Sequence, residues 1–252
     1  MPEENKWDII AQRFNTHMEL DKIHPDAAVN IYVGWPTFFD QIKYQCEAID
    51  EKYCNILEFC CGSGDFCEKL HALGHHVVGV DASREMLNIS KKNTSKDIEY
   101  IYGDLIKNKD LLRNYQGKMD IITSIHGFDW IENIEEIINI LSGLTKKDAL
   151  FIFCVFSKEH VKNSLEIHDL FEDFDSEYDP KKGVCNFDGT KIPVFVRDSN
   201  YYESIFKKLG YEKVIEYYPP YPSSFFKKYL WKGSKFPEML ILSFRKTDTK
   251  LS

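Results

Sequence analysis

No uninterrupted apolar stretch of about 18 residues, the length a membrane-crossing helix needs, occurs anywhere in this 252-residue chain. Nor does the polar start, Met1-Pro-Glu-Glu-Asn-Lys-Trp7, hold the apolar centre of a secretory leader. A cytoplasmic protein with no membrane partner is therefore expected. Positive charge is also scarce: 32 Lys and Arg stand against 40 Asp and Glu, a net charge of −8. Binding a polyanion needs a basic footprint, so nucleic acid is not expected as a partner. The short clusters Lys91-Lys92, Lys146-Lys147 and Lys227-Lys228 read as solvated helix ends or loops.

Paired Cys-x-x-Cys spacings are missing. The seven cysteines, at 46, 54, 60, 61, 67, 154 and 185, are odd in number and read as reduced, mostly buried thiols. A metal cluster of Cys60, Cys61, Cys67 and His71 would occupy the glycine turn that a ligand needs, so no metal is expected. Internal repeats and low-complexity linkers are absent as well. What remains, 43% hydrophobic and 29% charged, suits one globular domain with a substantial core. Eighteen Phe and 14 Tyr exceed what is usual at this length, and core packing takes most of them, with a share left to line a cavity.

The richest stretch is Asn55-Ile-Leu-Glu-Phe-Cys-Cys-Gly-Ser-Gly-Asp-Phe66. An apolar strand delivers Glu58 near its C-terminal end, Gly62 and Gly64 form a turn where side chains would obstruct a ligand, and a helix starts near Asp65. Seventeen residues past Gly64, His76-Val-Val-Gly-Val-Asp81 supplies a second strand closing on an acid. That is the position from which an α/β sheet reaches a ribose. A third, Ile98-Glu-Tyr-Ile-Tyr-Gly-Asp104, ends the same way. Carboxylates at 58, 81 and 104 then lie along one crevice at the carboxyl edge of a sheet, an arrangement suited to a nucleoside.

Over roughly residues 53–155 these features resemble the class I S-adenosylmethionine-dependent methyltransferases. The resemblance implies S-adenosyl-L-methionine as cofactor, with its methionine part held by Glu58, Cys60, Gly62 and Gly64 and its ribose hydroxyls by Asp81 beside Ala82. Met86 would lie on the adenine face, Gly103, Asp104 and Leu105 would read the adenine edge, and Ser124 would stand beside the cofactor after the fourth strand. In this chain Cys60 replaces the family's usual first glycine. A nicotinamide-dependent oxidoreductase is the rival, but its fingerprint wants a small residue where Cys67 stands, and Gly-Asp-Leu has no counterpart there. A non-catalytic protein that binds S-adenosylmethionine is the other alternative.

The apolar rhythm predicts strands near 54–60, 76–81, 98–103, 119–125 and 149–155, and helices near 65–73, 83–93, 107–115 and 133–144. Such alternation implies right-handed crossovers and a parallel sheet covered on both faces. With the resemblance, the expected fold is Rossmann-like α/β, a mostly parallel seven-stranded sheet with an antiparallel last strand. Residues 1–50 read as a helical cap, 53–156 as the cofactor core and 157–197 as a lid with a helix over 158–173 and an Asp188-Gly189 hairpin. Residues 198–252 hold a helix near 199–209 and a closing strand pair at 211–217 and 238–245.

Acceptor chemistry is expected after the fourth strand, in Thr123-Ser-Ile-His-Gly-Phe-Asp-Trp130. There His126 can take a proton from an attacking hydroxyl or amine, Asp129 can orient the ring or attract a cation, and Phe128 and Trp130 can form walls. The alternative is a loop histidine with two rings packed on the sheet. Trp35 and His160 are further candidates to line the acceptor site, although His160 and His168 also suit a solvated helix face. Tyr32, in a segment that loosely resembles one folding over the cofactor in small-molecule members, would cap the sulfonium. Tyr218-Pro-Pro-Tyr221 resembles a nucleic-acid amino-methyltransferase signature but lies after the sixth strand, where it reads as a surface loop. The expected partner is a small-molecule acceptor with a nucleophilic nitrogen or oxygen.

Overall fold

The computed structural model describes residues 5–179 and 181–247. Among these residues ten strands form two sheets: β1 (Asn55–Phe59), β2 (His76–Asp81), β3 (Glu99–Tyr102), β4 (Met119–Ile125), β5 (Thr145–Phe156), β6 (Phe171–Glu172), β7 (Lys182–Phe187), β8 (Thr190–Phe195), β9 (Tyr211–Tyr217) and β10 (Met239–Lys246). The larger sheet has the order β3-β2-β1-β4-β5-β10-β9, parallel from β3 to β5, with β10 antiparallel to both its neighbours. This is the expected mixed α/β sheet. Its strand order reverses between β1 and β4, and a crevice opens at such a reversal beyond the strands' carboxyl ends.

Alternation along the strands builds two cores. Ile56, Ile121, Ile152 and Cys154 point to one face, where α2 (Pro25–Val29), α3 (Trp35–Ala48) and α4 (Asp65–Ala72) pack; Leu57, Ile122, Phe151 and Phe153 point to the other. That second face is covered by α6 (Ile134–Leu144) and α8 (Ser199–Lys208), with the Phe206 and Phe244 rings stacked at 4.2 Å. Strands buried on both faces read as continuous apolar runs, which is why β4 and β5 were visible in the sequence. Among the described residues no helix is long and apolar enough to cross a membrane.

Helix starts follow local capping chemistry. Ser83 accepts from the Met86 N–H ahead of α5 (Arg84–Asn93), Ser157 from His160 N–H ahead of α7 (Lys158–Glu166), and Asp198 from Tyr201 N–H ahead of α8. Two expectations are corrected. Residues 107–115 form turns and a 3-10 turn over Arg113–Tyr115 instead of a helix. Residues 107–110, Lys-Asn-Lys-Asp, are all polar, so the single i, i+4 apolar pair, Leu111 and Tyr115, does not extend into a stripe that would hold a helix. The helix after β5 stops at Glu166, and β6 pairs with β7 in a three-stranded antiparallel sheet whose β7–β8 turn is Asp188-Gly189.

Before β1, α1 (Lys6–Ile9) is tied to the end of β2 by the Asn5 amide donating to Ala82 O at 2.7 Å and Ser83 Oγ donating to Asp8 at 2.5 Å. The last helix, α9 (Ser223–Lys228), lies in the β9–β10 connection. Cys46 and Cys54 form a disulfide, which corrects the reading of all seven cysteines as free thiols; the other five are free. His75 Nδ1 accepts from the Cys54 N–H beside it.

Candidate active site

The carboxyl ends of β1, β2 and β4 and the turn after β3 open on one cavity of about 620 Å³, within the usual size of small-molecule sites. Glu58, Asp81 and Asp104 all line it. So do Cys60, Gly62, Ala82, Met86, Gly103 and Leu105. The three strand-end acids therefore converge on a single hollow, the arrangement their spacing implied.

Asp81 holds the glycine turn in place. Its Oδ2 accepts from Gly62 N–H and its Oδ1 from Ser83 N–H, both at 2.8 Å. Burial raises its pKa, and those backbone donors pull the other way. Gly62 has φ +54°, and an added Cβ would meet only Met86 Sδ, at 4.0 Å, so the turn stays open to a ligand. Cys60 takes φ +59°, the left-handed conformation a glycine enters freely and a cysteine adopts only at the cost of some strain. Burial, then the charges of Asp81, Glu58 and Asp104, push its thiol far up, so it stays neutral.

Glu58 is 2% exposed and accepts a hydrogen bond from the Thr123 hydroxyl. Burial outweighs that bond and pushes its pKa up to about 8, so the free protein holds it mostly protonated at neutral pH; a cationic amine alongside would favour the carboxylate. The open glycine turn and the convergent acids fit S-adenosylmethionine, which carries an amine and ribose hydroxyls for carboxylates to meet.

Three residues expected at the cofactor lie elsewhere. Gly64 caps α4, where a Cβ would fall 2.5 Å from Tyr100 Oη, so its role there is close packing. Tyr32 sits in a π-helical turn over Asn30–Gly34 and packs against Phe225 and Tyr229, ring centroids 6.0 Å away in each case. Ser124 is buried and donates to Phe59 O.

On the acceptor side, His126 has φ +53°, and Gly127 follows because a Cβ there would come within 2.7 Å of Cys60 Cβ. The turns after β1 and β4 thus meet closely. His126 Nδ1 lies 2.8 Å from Asp129 Oδ2, and Asp129 Oδ1 also accepts from Phe156 N–H at 3.1 Å. Asp129 is fully buried and orients the ring from behind without lining the cavity. His126 Nε2 is buried with no hydrogen-bond partner. Burial disfavours a charged ring, but the Cys154 sulfur and the Asp129 carboxylate outweigh it and push the His126 pKa well above its ordinary value.

Trp35, Trp130 and His160 line the same cavity. Trp130 meets Phe156 edge-on at 5.7 Å and Trp7 at 4.9 Å. Phe128 does not reach it: fully buried, its ring packs 4.7 Å from Phe153 on the far face of the sheet. His160 is 2% exposed, not on a solvated face, and burial pushes its pKa down to about 4. His168 lies past the end of α7 and is exposed.

Sequence reasoning missed Arg13, Asp26, Asp169 and Glu238, which also line the cavity. Tyr221 is more than part of a surface loop, since its hydroxyl donates to Glu238 Oε2 at 2.8 Å. Nothing local marks these residues, which are spread over more than 200 positions of the chain.

A fold of this topology with an open glycine turn and three convergent acids defines a Rossmann-like methyltransferase. The methyltransferase-domain family model matches residues 34–216, and the chain belongs to that family. Over 122 residues it is 28% identical to the ubiquinone biosynthesis O-methyltransferase of Colwellia psychrerythraea, a match covering 46% of this chain and about half (49%) of that relative's length. Among solved structures, an S-adenosylmethionine dependent methyltransferase from Mesorhizobium loti superposes with a TM-score of 0.61 at 16% identity, covering 77% of this chain and 91% of that one. A Pyrococcus horikoshii protein gives 0.66 at 17% identity, covering 95% and 99%.

Proposed function

We propose that the protein transfers a methyl group from S-adenosylmethionine to a nitrogen or oxygen of a small-molecule acceptor, with His126 as the base. The observation that carries this reading is the orphaned His126 Nε2, held toward the cavity by Asp129 on the opposite ring nitrogen. A buried imidazole nitrogen without a partner is costly unless a ligand completes it. When bound, S-adenosylmethionine supplies a methyl carbon on a sulfonium; the carbon–sulfur bond breaks as the acceptor's lone pair forms the new bond, and the acceptor sheds a proton. Asp129 keeps Nε2 as the accepting atom, and Phe156, its ring centroid 4.4 Å from the imidazole and tilted by 38°, helps exclude water. A small acceptor suits the cavity's size and aromatic walls, and the chain's negative charge disfavours nucleic acid.

The test combines calorimetric titration with S-adenosylhomocysteine and an acceptor screen reading its release from S-adenosylmethionine. His126→Gln is expected to keep cofactor affinity while losing about 100- to 10,000-fold in turnover, the scale of general-base catalysis. Because the His126 pKa is raised and only the deprotonated ring accepts, wild-type turnover rises with pH beyond the ordinary histidine range. Absence of binding at millimolar cofactor would end the methyl-transfer reading, and full turnover by His126→Gln would end the base assignment.

A further inference from the structure

We infer that the methyl acceptor is an amine, recognised by a pair of carboxylates, Glu238 and Asp169, that pair with no Lys or Arg among the described residues. The inference rests on the methyl-transfer reading and narrows its acceptor class. Arg13 lines the cavity, but its charge is already paired with two carboxylates: Nε and Nη2 go to Asp26 Oδ2 at 3.0 and 2.9 Å, and Nη1 pairs with Asp188. An anionic acceptor therefore meets no free guanidinium, and the lysine of the lining, Lys232, is exposed to water instead of buried beside His126.

The remaining acids are short of partners. Glu238 is 8% exposed; its Oε2 accepts from Tyr221, its Oε1 stands 3.8 Å from His126 Nε2, and no Lys or Arg among the described residues pairs with it. Burial pushes its pKa up to about 7, with His126 opposing. Asp169 lines the same cavity and likewise has no Lys or Arg partner among the described residues; burial and then the charge of Asp26 raise its pKa. Two carboxyls held above their ordinary range by burial and by a neighbouring acid are stabilised by an added positive charge.

A second, independent observation points to the same ligand. His126 Nε2 is buried and unpartnered, and its 3.8 Å separation from Glu238 Oε1 is too long for a hydrogen bond. With the ring deprotonated, the state the base role requires, one nitrogen placed between them reaches both. An amine brings several N–H donors and a positive charge, an alcohol brings one donor, and a carboxylate brings none. Trp130 and Phe156 offer ring faces on which an ammonium is stabilised. The balance is simple: the ammonium gives a proton to His126 Nε2 or Glu238, its freed lone pair forms the nitrogen–carbon bond as the sulfur–carbon bond breaks, and the positive charge moves from sulfur to nitrogen.

All four tryptophans, at 7, 35, 130 and 231, line the cavity, so their emission reports binding there. With S-adenosylhomocysteine saturating, 2-phenylethylamine, 2-phenylethanol and phenylacetate share one skeleton and differ in the test group. The amine is expected to bind at least about tenfold more tightly than the other two, and both Glu238→Gln and Asp169→Asn are expected to abolish most of that preference while changing alcohol affinity less than about threefold. Equal or tighter binding of the alcohol or carboxylate, no response to any of the three, or an intact amine preference in the variants overturns the inference. Should Glu238→Gln fail to fold, Asp169→Asn, at a less buried carboxyl, decides. Calorimetry of S-adenosylhomocysteine on the same sample separates the two failures: cofactor binding without amine preference refutes the acceptor class alone, whereas no cofactor binding refutes the parent reading.

Discussion

Replacing Asp81 with alanine tests the cofactor site most directly. The carboxylate accepts Gly62 and Ser83 N–H groups at 2.8 Å and leaves acceptor capacity facing the cavity. A hydrogen bond to a charged group contributes about 1.5–3 kcal/mol, and burial has already raised this acid's pKa, which works against the charged form that ribose hydroxyls would meet. A loss of about 1–3 kcal/mol is therefore expected for S-adenosylhomocysteine, roughly 5- to 150-fold in Kd. Gly62 lines the cavity, so its freed N–H can turn to water, whereas Ser83 is buried, and leaving that one donor unpaired should cost the fold about 1–3 kcal/mol. Calorimetry gives the affinity, and urea denaturation of the same variant shows whether the protein is still folded. An affinity within twofold of wild type in a folded variant would refute the ribose assignment.

Two further substitutions probe the frame. Gly64→Ala puts a Cβ 2.5 Å from Tyr100 Oη and 2.6 Å from Ser90 Cβ at φ +80°, so strain and overpacking together should cost about 2–4 kcal/mol; a urea midpoint shift worth under about 0.5 kcal/mol would contradict that. Glu58 has a folded pKa of about 8 against an ordinary value of 4.5, so between those values the unfolded chain binds fewer protons and stability falls as pH rises. The fall is at most about 5 kcal/mol and should flatten in Glu58→Gln; an unchanged slope in the variant would show that another group carries it.

Much of the cofactor half was legible because its signals are local. A strand that ends where an apolar run meets an acid fixes where Glu58, Asp81 and Asp104 emerge, and parallel register then sets them side by side. Glycines at 62 and 64 marked a tight turn, although only Gly62 faces the ligand space; Gly64 sits one step later, where α5 and Tyr100 close in. Tyr32 was misplaced because its helical turn exposes it to α9, almost 200 residues away in sequence. Phe128 and Trp130, alike on paper, separate because a 3-10 turn over Phe128–Trp130 directs one ring into the core and the other into the cavity.

The amino-acid order alone thus determined the strand periods, the helix caps and the glycine turn, since each depends on contacts within a few residues. Tertiary structure decided which side chains share the acceptor space. Arg13, Asp26, His126, Asp169 and Glu238 come from separate elements, and whether a charge finds a partner or a buried nitrogen is left without one depends on distances that no neighbouring residue sets.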